Sequence, residues 1–163
     1  MRLPATLLLL ASVTLLASCA VTGGFVSQSS TLVEVRARAG TPTDIRFDRN
    51  GDELWEYARG PMGYETYLVR AGSDGNVKEV IQLLTQERLQ TIVPGSMTKQ
   101  DVRHVLGRPS DESFLRVGQT WSWRYKLGGT QPGFLIVTFN PDNTVKDRYM
   151  TVDPSGGDSR DSK

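Results

Sequence analysis

The chain states one sequence plan twice. Val35-Arg36-Ala37-Arg38-Ala39-Gly40-Thr41-Pro42-Thr43-Asp44 aligns with Val102-Arg103-His104-Val105-Leu106-Gly107-Arg108-Pro109-Ser110-Asp111 at a shift of 67 (102 − 35). Further on, Trp55-Glu56-Tyr57 aligns with Trp123-Arg124-Tyr125, and Asp74-Gly75-Asn76-Val77-Lys78 with Asp142-Asn143-Thr144-Val145-Lys146, now at a shift of 68 (123 − 55). Matches in constant order, with a single one-residue slip between matched segments, are what two copies of one supersecondary unit produce. This constrains the fold strongly, because both copies must build the same elements in the same order. With one cysteine in the chain, no disulfide can help a unit this small. Each must bury its sheet under its own helices or against its neighbour.

Each copy reads as short helices followed by a three-stranded antiparallel meander, an α+β plan. Thr31 with Glu34, and Thr98 with Asp101, stand at capping-box spacing and predict helix starts. Val102, Val105 and Leu106 fall on one helical face, and Gly107 with Pro109 ends that helix, as Gly40 with Pro42 ends the first. Thr85 to Ile92 predicts a further short helix with Leu89, Ile92 and Val93 on one side, stopped by Pro94 and Gly95. The first copy has Gly23 to Ser30 in that place, so its leading helix is expected to be missing or replaced by a tether.

Trp121, Trp123, Tyr125 and Leu127 alternate with polar residues, the pattern of a half-buried strand, and Trp55 with Tyr57 repeats it. Second strands are expected over about 65–71 and 133–140, facing inward through Tyr67, Val69 and Ala71 and through Leu135, Val137 and Phe139. Ser73 to Asn76 and Asn140 to Asn143 carry turn chemistry, and third strands start near Val77 and Val145. The expected division is a first unit over 31–83, a second over 84–153, and a disordered tail over 154–163, which lacks apolar residues.

The stretch before the first unit reads as an export signal. Met1 and Arg2 give a positive start, and Leu3 to Leu16 is largely apolar but too short for the roughly 20 residues of a membrane-spanning helix. Leu16-Ala17-Ser18-Cys19 resembles the lipobox of bacterial lipoproteins, which implies cleavage after residue 18. It also implies a diacylglyceryl thioether and an N-acyl group on Cys19, with 19–30 as a lipidated tether. Two or more acyl chains anchor stably where one does not. Ala20, in place of the aspartate that retains such proteins at the inner membrane of enteric bacteria, implies the periplasmic face of the outer membrane.

The segment Pro94-Gly95-Ser96-Met97-Thr98-Lys99-Gln100-Asp101-Val102, continued by Leu106-Gly107-Arg108-Pro109, Trp123-Arg124-Tyr125 and Val137-Thr138-Phe139, resembles the BamE family, also called SmpA/OmlA. The likeness spans roughly 84–152 and, more faintly, 31–83. It implies two helices on a three-stranded sheet, here in tandem, and partners in the outer-membrane β-barrel assembly machinery. The tandem arrangement is similar to that of the β-lactamase inhibitor proteins, which bind enzymes with an exposed sheet face. An inhibitor or adaptor of an envelope enzyme is therefore the alternative reading.

The chain has 19 basic and 18 acidic residues, and loss of Arg2 with the signal makes it neutral. No segment forms a basic stripe, so no nucleic-acid partner is expected. No hydrolase elbow, zinc-binding His pair, phosphate loop or Cys–His pair is present. His104, the only histidine, reads as a solvated helix residue, and Asp48-Arg49-Asn50-Gly51-Asp52 as a polar turn lacking the spacing of a calcium loop. No enzymatic activity, small-molecule substrate, metal or cofactor beyond the acyl chains is expected. Candidate partner contacts are Met62 and Tyr64, as an adaptable apolar hairpin tip, and Trp121, which has no tryptophan counterpart in the first copy.

Overall fold

Thr31 and Thr98 open their helices identically. The computed structural model describes residues 30–59, 63–116, 118–127 and 131–154. In it, helices α1 (Leu32–Ala39) and α3 (Lys99–Leu106) each begin with a complete capping box. The Thr98 hydroxyl accepts from the Asp101 N–H at 3.2 Å, and Asp101 Oδ2 accepts the Thr98 N–H at 2.8 Å. The shorter aspartate thus does the work that Glu34 does for Thr31, at the same 2.8 Å. Removing either threonine hydroxyl, as Thr31→Ala or Thr98→Ala, is expected to cost about 1 kcal/mol in chemical denaturation.

Those caps also set an acid dependence. The bonds from Thr98, first its hydroxyl and then its N–H, hold the Asp101 carboxyl below the ordinary aspartate range, and the Thr31 N–H does the same for Glu34. A carboxyl depressed in the folded state stabilises above its unfolded value of about 4, and this support is lost as pH falls through the folded value. Asp101→Asn should therefore flatten the loss of stability below about pH 4 relative to the parent chain. Thermal melts followed between pH 2 and 6, on the order of one per half unit, would reveal the difference.

The first unit continues with β1 (Asp44–Phe47), β2 (Glu53–Ala58), β3 (Thr66–Ala71) and β4 (Val77–Gln82). The second has α2 (Gln86–Gln90) before α3, then β5 (Asp111–Leu115), β6 (Gly118–Tyr125), β7 (Gly133–Phe139) and β8 (Val145–Val152). Each sheet is an antiparallel meander in chain order, β1-β2-β3-β4 and β5-β6-β7-β8. Each therefore has four strands, one more than the expected three. The added strands β1 and β5 are short edges whose sequences, Asp-Ile-Arg-Phe and Asp-Glu-Ser-Phe-Leu, offer too few alternating positions to read as strands. Among their apolar residues, Phe47 is 67% and Phe114 82% exposed.

The repeat extends to individual hydrogen bonds. Leu32 N–H to Gly75 O in the first unit corresponds to Lys99 N–H to Asn143 O in the second, and Val77 N–H to Ser30 O corresponds to Val145 N–H to Met97 O. The turn before each last strand places Gly75 at φ 76° and Asn143 at φ 65°, and asparagine is among the few residues that tolerate that left-handed conformation. The one-residue slip lies in the β5–β6 hairpin, where the edge register also moves: Asp44 pairs with Glu56, but Asp111 pairs with Ser122.

Two cores follow. Leu32 and Val35 of α1 pack on Trp55, Tyr57, Tyr67, Val69 and Ala71. Leu89, Ile92, Val102 and Leu106 pack on Trp121, Trp123, Leu135, Val137 and Phe139. Both inward-facing sets match the strand periodicity. Val93, expected on the buried side of the short helix, is instead half-exposed, because that helix ends at Gln90 and the chain turns before reaching it. Adjacent Leu83 and Leu84 enter different clusters, Leu83 joining Leu54 and Leu68 on the far face of the first sheet, and Leu84 the second core. Among the described residues no helix is long and apolar enough to cross a membrane.

Candidate functional site

The central strands of the two sheets carry opposite charges at one repeat position. Glu56 and Arg124 each stand between the Trp and Tyr of the repeated triplet, so each points to the face away from its own helices. Burial of a charge there is tolerated only with full pairing. The Glu56 side chain is 0% exposed, and Arg124 is buried as well.

Glu56 is held largely by the second unit. Its Oε2 accepts from Arg103 Nη1 at 2.7 Å and from Arg46 Nη1 at 2.9 Å, and its Oε1 accepts from the Arg108 N–H at 2.6 Å. Arg103 also donates to Asp44 Oδ2 at 2.8 Å. Since Arg103 lies on α3, this helix is packed between its own sheet and the outer face of the first. Gly107, which ends α3, approaches so closely that a Cβ there would sit 2.9 Å from both Glu56 Oε1 and Leu83 Cδ1.

Arg124 is closed over differently. Its Nε and Nη2 donate to the carboxylate of Asp153, just after β8. Its Cζ lies 4.6 Å from the ring centre of Tyr64, which the β2–β3 connection of the first unit supplies. Tyr64 is thus a half-buried contact between the units and not an exposed tip. Tyr64→Ala is expected to cost about 0.5–1 kcal/mol in urea denaturation and Tyr64→Phe almost nothing, because the ring face is the contact.

Trp121 is 8% exposed and belongs to the second core, packed edge-on to Trp123 and Phe139. Its indole N–H donates to Glu112 Oε2 at 2.8 Å, and Lys99 Nζ stands 4.9 Å above its ring. It is therefore core, not a partner surface, because its alternation with Trp123 and Tyr125 turns it under α3. Met62, Cys19 and the segment Leu16, Ala17 and Ser18 lie outside the described residues. His104 is exposed on α3. Asp48 spends its carboxylate within the polar turn, accepting from the N–H groups of Asn50 at 2.8 Å and Asp52 at 3.0 Å.

Among the described residues, each sheet keeps an open patch on its outer face. Beside the Glu56 seam, the uncovered part of the first sheet's outer face and helices α2 and α3 enclose a cleft of about 860 Å³. Its floor is Leu54, Leu68 and Ile81, and Arg46, Arg49, Arg70, Arg88 and His104 stand around it. Arg88 donates Nε and Nη2 to the Val105 carbonyl at 3.1 and 2.9 Å, and burial pushes its guanidinium down from the ordinary arginine range. The second surface is the outer face of the second sheet, where Ile136 pairs with Tyr149 and Phe134 with Thr151. Phe134 and Ile136 are half-buried, and Tyr149 is 47% exposed.

The sequence reading passed over Glu56, Arg103 and Arg124. The signal available was the repeat alignment itself, which sets an acid against a base in the middle of two otherwise identical aromatic triplets.

Residues 81–149, which run from the end of β4 through the second unit into β8, match the model of the outer membrane protein assembly factor BamE domain. No curated protein matches the chain. Among solved structures, a DUF4309 family protein (YjgB) from Bacillus subtilis subsp. subtilis str. 168 shares 19% identity over 80% of this chain and 84% of its own. The TM-score of that pair is 0.29, so the two backbones do not superpose and the likeness carries no argument.

Proposed function

We propose that this protein is a lipid-anchored, non-enzymatic scaffold on the periplasmic face of the outer membrane that assists the assembly of β-barrel proteins there. The observation that carries this reading is the BamE domain match over residues 81–149. Cys19, behind Leu16-Ala17-Ser18, would supply the anchor. Tethering confines the domain to the membrane surface and raises its effective concentration for a membrane-bound partner without any new contact. The first unit would enlarge the surface offered to that partner, since the Glu56 seam ties both units together.

The test is in-cell crosslinking of a C-terminally tagged chain followed by mass spectrometry of what co-purifies. Enrichment of barrel-assembly components supports the reading. Their absence beside one strongly enriched envelope enzyme would replace it with the inhibitor or adaptor reading, which the half-exposed Tyr149 and neighbouring Phe134 on an open sheet face favour. The anchor has its own test: Cys19→Ala should release the protein from the outer-membrane fraction after a high-salt wash, and retention of the variant there would overturn lipidation.

A further inference from the structure

Among the described residues, β8 forms the longest and least protected sheet edge. An edge strand invites pairing with another strand, and proteins blunt it by shortness, proline, charge or cover. Strands β1 and β5 are edges of 4 and 5 residues, and each begins two residues after a proline, Pro42 and Pro109. Strand β4 has 6 residues, carries Lys78 and Glu79, and then turns into Leu83, whose N–H donates back to the Thr66 carbonyl. Strand β8 has 8 residues, and its second half, Tyr149-Met150-Thr151-Val152, is exposed and carries no charge.

The backbone of that edge is partly unpaired. The Asp153 N–H donates to the Pro132 carbonyl, continuing the β7–β8 ladder. Alternate residues of an antiparallel strand bond to opposite sides, so Tyr149 and Thr151 bond toward β7, while Arg148, Met150 and Val152 aim their backbone groups outward. Residues 95–97 close the edge as far as Val145, whose N–H donates to the Met97 carbonyl and whose own carbonyl accepts from the Gly95 N–H. Beyond that point the Arg148 N–H donates to Asp147 Oδ1 at 2.7 Å, and the Met150 backbone has no outward partner among the described residues. A neighbouring side chain thus stands in where a further strand would lie.

We propose that β8 pairs antiparallel with β8 of a second copy of this chain, about a two-fold axis at Tyr149. A second copy fits because this register is self-complementary, as an isologous interface must be. Arg148 and Met150 of one copy exchange N–H···O bonds with Met150 and Arg148 of the other, Tyr149 stands opposite Tyr149, and Asp147 opposite Thr151. No like charges face each other. Moving the axis one residue either way sets Arg148 against Arg148 or Asp147 against Asp153, and like charges directly opposite destabilise a strand pair. On the outer face Tyr149 is the register neighbour of Ile136, so the two rings join the apolar patches of both sheets. On the helix side Met150, the neighbour of Leu135, covers the stem of Arg148 from the other copy. Pairing over residues 147–151 buries less than a permanent interface does, so the dimer is reversible and concentration-dependent. Self-pairing of this kind neither needs nor implies a role in barrel assembly.

The experiment uses the full chain, first in the cell envelope under mild oxidation, with the parent chain as background for Cys19. Tyr149→Cys should give a disulfide-linked homodimer, because residues opposed in a non-hydrogen-bonded pair have Cα atoms about 4.5 Å apart. Asp147→Cys and Thr151→Cys each lie more than about 10 Å from their own copies, so either alone should crosslink at least about fivefold less, and the two together should crosslink to each other. In neutral maltoside detergent, sedimentation should show reversible dimers of the parent chain. Tyr149→Lys should abolish them, and mixing Tyr149→Lys with Tyr149→Glu should restore them, which a folding defect in either variant would prevent. A parent chain that stays monomeric at every concentration, or dimers that survive Tyr149→Lys, would overturn the proposal. So would crosslinking at Tyr149→Cys no stronger than at Asp147→Cys or Thr151→Cys, or its capture of a different envelope protein in place of a second copy.

Discussion

Replacing Glu56 with alanine is expected to lower the unfolding free energy by about 3–5 kcal/mol, the range for breaking a buried ion pair from one side. Three donors converge on this carboxylate, from Arg46, Arg103 and the Arg108 backbone, and its side chain has no access to water. The truncation leaves the Arg108 N–H without its acceptor and two guanidinium groups beside an empty volume. Glu56→Gln keeps an acceptor for one N–H but removes the charge, so about half that loss is expected. Urea denaturation followed by tryptophan fluorescence reports on both units, because Trp55 lies in the first core and Trp121 and Trp123 in the second. A loss below about 1 kcal/mol for the alanine variant would mean that the carboxylate is hydrated and that the units do not meet over it.

Glycine-to-alanine changes at the two helix ends should differ sharply although the local backbone is the same. Gly40 has φ 82° and ψ −158°, and Gly107 has φ 74° and ψ −165°, a region that side-chain-bearing residues rarely enter. Backbone strain alone therefore costs about 1–3 kcal/mol at either position. At Gly40 an added methyl meets nothing within 4 Å, so Gly40→Ala should cost that strain and no more. At Gly107 it would press on Glu56 and Leu83 at 2.9 Å each. The side chain cannot retreat without loosening the three bonds on Glu56, so Gly107→Ala should cost at least about 2 kcal/mol more than Gly40→Ala. Equal losses in parallel denaturation curves would show that α3 does not press against the first sheet.

Local chemistry was the part of the fold most legible in the chain. The capping boxes at Thr31 and Thr98 need only residues three apart, and the inward sets of β2, β3, β6 and β7 follow from a period of two. The edge strands β1 and β5 were not legible, because four or five half-polar residues give no period and their apolar members, Phe47 and Phe114, stay in solvent. Within the candidate site, the failure was one of range. Arg103 and Glu56 are separated by 47 residues, and nothing local to either announces the other. Trp121 was misleading for a related reason: unmatched in the first copy, it looked free to serve a partner, yet the same alternation that buries Trp123 buries it. Tyr64, a loop aromatic, is claimed by Arg124 of the other unit, and only the assembled pair of sheets shows that.

These contacts make the tandem repeat one mechanical piece. On the proposed scaffold reading this matters, because a joined pair of units presents the open face of the second sheet, with Phe134, Ile136 and Tyr149, in a fixed relation to the first. It also creates the arginine-lined cleft, which a single unit could not form.

The most direct test of the docked arrangement is a double-mutant cycle between Glu56→Gln and Arg103→Met, read by urea denaturation. If α3 is seated on the first sheet through this ion pair, the two substitutions share one interaction and their coupling should exceed about 1 kcal/mol. Strictly additive losses, with coupling within about 0.3 kcal/mol of zero, would contradict the account and leave two units that merely share a chain.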